Sequence, residues 1–141
     1  MNDDGGELRC ELPQTLREKE EHRQYDLGER TARFGENVVE FAGSVKLTPI
    51  TSPLINQLVR AATSIGANYC EASEAGSDKE FWYRISISNR EARETTYWLR
   101  MLARAISPRR DRIRELWKEA HELNLIFAAI FRKGKHRPHA P

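Results

Sequence analysis

The chain is poor in cysteine and histidine and has neither a long apolar run nor a catalytic signature. Each absence removes a class of protein. Two cysteines, Cys10 and Cys70, are too few for a disulfide framework or a four-thiolate metal site. His22, His121, His136 and His139 come with no HExxH motif and no paired Cys/His spacing, so no metal is expected. No stretch approaches the roughly eighteen uncharged apolar residues that cross a bilayer, and no membrane association is expected. The start, MNDDGGELRCELP, is acidic and lacks an apolar run, unlike a signal peptide; a cytoplasmic protein is the expectation. Gly5-Gly6 and Ser64-Ile65-Gly66 are too short to cradle a phosphate, and there is no P-loop or GxGxxG. No cofactor is expected.

What the chain does have is charge. Of its 141 residues, 31% are charged and 39% hydrophobic, a balance that suits amphipathic helices with charged outer faces in a single domain. The formal net charge of +2 conceals an asymmetry. Residues 1–24 hold seven acids and four bases, net −3. Residues 100–141 hold eleven bases and four acids, net +7. A basic end on a balanced domain suits a polyanionic partner, or else is a solvated helix face with a solubilising tail.

The apolar spacing is helical throughout. Residues 1–24 show no sustained period and read as a flexible acidic leader, with at most a frayed turn around Leu16 to His22. A first helix is predicted from Asp26, a good N-cap with Glu29 three residues on. Its stripe is Leu27, Thr31, Phe34, Val38, Phe41 and Val45, alternating spacings of four and three. Thr48-Pro49-Ile50-Thr51-Ser52-Pro53 breaks the chain. Ser52 and Pro53 then read as cap and first position of a second helix, with Leu54, Leu58, Ala61, Ala62, Ile65, Tyr69 and Ala72 inward. Small residues at its centre, Gly66 included, allow a neighbouring backbone to come close or ease a bend. Gly76 is the expected C′ glycine.

Ser77-Asp78-Lys79-Glu80 is a capping box that opens a third helix to about Ala105. One seam reads Phe81, Ile85, Ser88, Ala92, Thr95, Leu99, Leu102, Ile106. A second reads Ile87, Glu91, Glu94, Trp98, Met101, Ala105, so this helix should be contacted on more than one side. Ser107-Pro108 starts a fourth helix carrying Ile113, Leu116, Trp117, Ala120, Leu123, Phe127, Ile130 and Phe131. It should end before Gly134, leaving 133–141 as a basic disordered tail. Four helices with short connections make an all-α, antiparallel up-down-up-down four-helix bundle over residues 25–132.

Ser64, Asn68, Glu71, Arg90, Glu91 and Glu94 fall on or beside the apolar stripes. A di-iron or di-manganese bundle site would need Glu-x-x-His pairs, and the chain has none. Two carboxylates one turn apart could split their pKa values for acid–base work, but a satisfied polar network that sets helix register explains them too. No nucleophile–base–orienter set accompanies them, so no catalytic residue is assigned. Trp98 and Trp117 sit on seams and read as core or interface anchors. Trp82 and Tyr83, flanked by Lys79 and Arg84, could stack on single-stranded nucleic acid or lie between subunits; the second reading is preferred.

Gln57-Leu58, Arg60-Ala61-Ala62-Thr63-Ser64-Ile65-Gly66-Ala67-Asn68-Tyr69, Glu71-Ala72, Ser77, Phe81, Glu91-Ala92-Arg93-Glu94-Thr95 and Tyr97-Trp98-Leu99 resemble the 23S rRNA intervening-sequence proteins, usually called four-helix-bundle proteins. Tyr25-Asp26-Leu27 and Glu29-Arg30-Thr31 look like that family's usual opening. The resemblance covers about Tyr25 to Arg132. It implies a bacterial bundle that assembles as a ring-shaped homo-oligomer, commonly a homopentamer, some members being encoded in insertions within 23S rRNA genes. A related branch serves as the accessory protein of diversity-generating retroelements, binding nucleic acid and a reverse transcriptase. Fold transfers from such a likeness more readily than function.

The function expected from these readings is a non-enzymatic oligomer that binds structured RNA or DNA through phosphate contacts. The candidate contacts are Arg109, Arg110, Arg112, Arg114, Arg132, Lys133, Lys135 and Arg137, neutralising charge and not reading bases. The alternative is a protein-interaction scaffold that docks a partner such as a reverse transcriptase.

Overall fold

The structure, a computed structural model, describes residues 14–135, with side chains over 27–134. Four α-helices follow one another: α1 Gln14–Gly43, α2 Thr51–Ser73, α3 Asp78–Ala105 and α4 Arg110–Lys135, the last preceded by a 3-10 turn at Ser107–Arg109. No strand occurs among the described residues, and no helix among them is long and apolar enough to cross a membrane.

Cross-contacts establish the direction of each helix. Arg60 reaches Glu91 and Glu94, Ser88 donates to the Ile65 carbonyl, and Arg84 donates to Asn68; as one number rises the other falls, so α2 and α3 are antiparallel. The same opposition links Arg30 with Glu119 and Arg109 with Ser44 between α1 and α4. Consecutive helices pack most extensively, and α1 meets α4 more sparsely to close the bundle. This is the up-down-up-down arrangement expected from short connections.

Every position of the α1 stripe from Leu27 to Val45 is buried. So are Leu58, Ala61, Ala62, Ile65, Tyr69 and Ala72 on α2, and Ile85, Ser88, Ala92, Thr95, Leu99 and Leu102 on α3. On α4 the inward line is Ile113, Leu116, Ala120, Leu123 and Phe127. Tyr69 and Phe127 meet edge-on with centroids 5.9 Å apart, the preferred geometry for an aromatic pair. Where α1 crosses α2, a β-carbon on Gly66 would lie 3.2 Å from Thr31 Oγ1 and 3.3 Å from its Cβ. Gly66 is thus where the two backbones need the missing side chain. Opposite it, Ser88 Oγ donates across to the Ile65 carbonyl at 3.0 Å.

Several ends differ from expectation. α1 begins at Gln14, not at Asp26: its first turns are rich in good helix formers (Gln, Leu, Arg, Glu, Lys), whose propensity carries the helix without an apolar stripe. Residues 14–24 of the expected leader are therefore helical; 1–13 lie outside the described residues. α2 is not capped by Ser52. Thr48 accepts from the Ile50 and Thr51 amides at 3.2 and 3.0 Å, and Thr51 Oγ1 accepts from the Thr48 amide at 2.8 Å, a reciprocal closure one turn earlier. Gly76 has no positive φ; its amide instead donates to Glu80 Oε2 at 3.2 Å, while Ser77 Oγ accepts from the Glu80 amide at 3.2 Å. α4 runs through Gly134 to Lys135, which absorbs the first residues of the expected tail; 136–141 lie outside the described residues.

Candidate nucleic-acid interface

The basic residues singled out on α4 do not form one patch. Arg109 is turned inward: its guanidinium donates to Ser44 Oγ at 2.8 Å and lies over the Phe41 ring, 4.9 Å from the centroid. It braces the start of α4 against the end of α1. Arg112 pairs with Glu115 at 2.9 Å one turn on, a surface ion pair of small net worth. Arg132 and Lys133 are exposed at the other end of the helix, about 33–35 Å from Arg110 at 1.5 Å per residue. The Lys135 side chain and all of Arg137 lie outside the described residues.

Arg110 and Arg114 belong to a different grouping. They line an open groove of about 560 Å³ between α3 and α4, together with Arg100, Arg104, Lys118, Leu99, Ala103, Ile113 and Trp117. Arg110, Arg114 and Lys118 follow at intervals of four along one side of α4, and Arg100 and Arg104 do the same on α3. The antiparallel packing brings the two rows face to face. None of these five cations makes a salt bridge among the described residues. Arg110 is partly anchored, its Nε donating to the Ala103 carbonyl at 3.3 Å, which leaves the outer nitrogens of the fork for a ligand. Beneath the charges, Leu99 and Ile113 are fully buried and give the groove a low-dielectric floor that strengthens the field above it.

Arg100, Arg104 and Lys118 are among the eleven bases of residues 100–141 but do not stand out as contacts in the sequence, because nothing linear joins residue 104 to residue 110 on one surface. Trp117 had a visible signal. The α4 seam Ile113, Leu116, Ala120, Leu123, Phe127 is complete without it, and Trp117 stands one residue, about 100° of helix, off that line. It is 37% exposed, not a core anchor. Its ring is nearly parallel to that of His121, at 4.9 Å and 13°.

The polar residues at the α2–α3 seam separate into two clusters. In one, Asn68 Nδ2 donates to Ser64 O and Oγ, both at 2.9 Å, and Asn68 Oδ1 accepts from Arg84 Nη1 at 3.2 Å. In the other, Arg60 bridges Glu91, at 3.1 Å, and Glu94, while Trp98 Nε1 donates to Glu94 at 3.1 Å. The cation holding the carboxylate pair is thus Arg60 from the neighbouring helix; Arg90 and Glu71 are both exposed. Burial pushes the Glu94 carboxyl upward, but the hydrogen bonds from Arg60 and Trp98 and the charge of Arg60 outweigh it and hold the group below the usual carboxylate range. The hydrogen bond to Glu94, with Glu91 adding to it, in turn raises Arg60. An ion-paired carboxylate held low is a clamp between helices, which also accounts for the polar members of the second α3 seam.

Trp82 stands at the other end of the bundle. A β-carbon on Gly134 would lie 2.5–2.7 Å from three atoms of its indole, so the ring packs on the last turn of α4 within one chain. It also meets Phe81 edge-on at 4.9 Å. Tyr83 beside it is 57% exposed.

The sequence model of the 23S rRNA-intervening sequence protein family matches residues 23–129. Comparison with curated proteins finds no match. Among solved structures, a Bacteroides thetaiotaomicron protein of unknown function from the S23 ribosomal protein family is similar, with a TM-score of 0.67 and 25% identity over 77% of this chain and 97% of its own. With a matching bundle and a family match across all four helices, the chain belongs to the 23S rRNA-intervening sequence protein family.

Proposed function

We propose that this protein is a non-enzymatic, oligomeric bundle that binds structured RNA or DNA through phosphate contacts in the α3–α4 groove. One observation carries the reading: five cations, Arg100, Arg104, Arg110, Arg114 and Lys118, line a single groove, and none has an acidic partner among the described residues. Stability alone gives no reason to gather like charges. A phosphate backbone supplies regularly spaced anions and repays the crowding by releasing its counterions. Self-association is supported by a second groove, between α1 and α2, where Ala32, Gly35, Val39 and Ala67 present an apolar surface and Val39 is 51% exposed. Copies joined there would add their grooves into one avid surface.

Fluorescence anisotropy across a salt series tests the proposal. With all five cations engaged, log affinity should fall with log salt at a slope of about −3.5 to −4.5, from 0.7–0.9 per phosphate. Arg110→Glu with Arg114→Glu should flatten the slope and weaken binding, whereas Arg132→Glu with Lys133→Glu should change little. Absence of binding at low salt, or equal damage from the two double variants, would refute the groove's role.

A further inference from the structure

The aromatic wall of the groove makes its occupant more specific than a run of phosphates. Trp117 lines the groove beside Arg114 and Lys118, on the exposed side of α4. His121, one turn on, covers it in near-parallel fashion at 4.9 Å. A buried aromatic pair is built differently: Tyr69 and Phe127 are 4% and 0% exposed and meet edge-on. Two flat rings stacked in the open, with Arg114 and Lys118 on either side of Trp117 along α4 and two more cations across on α3, combine a π-surface with a phosphate-tracking row. That combination is what single-stranded nucleic acid uses, because every base has a face to stack and every nucleotide an anion to neutralise. A duplex keeps its base faces inside its own stack and can offer the groove only its phosphates. The cleft of about 560 Å³ falls within the roughly 300–1,000 Å³ typical of sites that enclose small molecules, enough room for a base.

We infer that the α3–α4 groove takes an unpaired nucleotide segment, a single strand or a loop. One base stacks against the Trp117–His121 platform, and the flanking phosphates lie along Arg100, Arg104, Arg110, Arg114 and Lys118. The inference rests on the phosphate-binding proposal and adds a base to it. Its selectivity is for unpaired over paired strands and not for a particular sequence, since stacking tolerates any base.

Anisotropy on the full chain separates the two ideas, using three probes of equal total phosphate number: a mixed-sequence single-stranded RNA, the same strand with abasic sugars, and a blunt RNA duplex of half that length. The base-bearing strand should bind about tenfold more tightly than the abasic strand, in the range expected for one stacked base. Trp117→Leu should erase that difference by weakening the base-bearing strand far more than the abasic strand or the duplex, and Trp117→Phe should keep most of it. Equal affinity of the unaltered protein for base-bearing and abasic strands overturns the stacked base and leaves phosphate binding intact. Failure to bind any of the three removes both. Should Trp117→Leu not fold, the comparison of probes on the unaltered protein and on Trp117→Phe still decides.

Discussion

Three glycines on the α1–α2 interface permit a sign test of close packing against helix propensity. A β-carbon on Gly28 would meet Tyr69 Cε1 at 3.7 Å, and one on Gly35 would find nothing nearer than 3.9 Å; both are ordinary contact distances. At these two positions alanine should add its helix propensity, about 0.5–1 kcal/mol. At Gly66 the same carbon would lie 3.2 and 3.3 Å from Thr31 side-chain atoms and 3.5 Å from its carbonyl carbon. Thr31 has little room to yield: it is 2% exposed and its hydroxyl donates to the Gly28 carbonyl at 3.1 Å. Relief requires α1 to back away from α2. Overpacking of this kind costs about 1–3 kcal/mol, which offsets the propensity gain and leaves Gly66→Ala destabilising by up to about 2 kcal/mol. Thermal unfolding by circular dichroism should rank Gly28→Ala and Gly35→Ala above the unaltered protein and Gly66→Ala below it. The span between them would be up to about 10 °C at about 3–4 °C per kcal/mol for this chain length. If Gly66→Ala rises by as much as the other two, the close approach of α1 and α2 at Thr31 is wrong.

Two further outcomes follow from side chains already placed. Gly134→Ala should displace Trp82, because the new carbon overlaps three atoms of a rigid ring; a red-shifted tryptophan emission with the helical signal largely kept is the expected result, and an unchanged spectrum would contradict that packing. Glu94 is held below the usual carboxylate range by Arg60 and Trp98, so its folded-state pKa lies below the unfolded one. Its contribution to stability is therefore present above the unfolded value of about 4.5 and is lost as pH falls through the lower folded value. Denaturant titrations should show Glu94→Gln losing part of the acid-side decline, and identical pH profiles for the two proteins would argue against the clamp.

The alternation of three and four made most of the core legible: the α1 stripe from Leu27 to Val45 is buried at every position. Capping was readable at Ser77 and Glu80, where short-range geometry decides, and misread at Ser52, because Thr48 and Thr51 close the turn through each other first. The start of α1 was hidden because 14–24 carry propensity without an apolar face. The two clusters at the α2–α3 seam were half legible. Glu91 and Glu94 were recognisable as polar seam residues, but their cation, Arg60, stands 31 residues from Glu91, and only the helix register brings it there. The groove was harder still, since its five cations come from two helices and become neighbours only after the chain has turned at Ser107.

Five positive charges in one groove, none in a salt bridge among the described residues, give the folded protein a local repulsion that the unfolded chain, with its charges spread apart, does not share. Small anions in a buffer will act on the protein before any biological ligand does. Phosphate or sulfate should raise its melting temperature more than chloride at equal ionic strength, by occupying the folded form alone. Purified protein stored in such buffers will therefore look sturdier, and bind more weakly, than the same protein in a solution of non-coordinating salt.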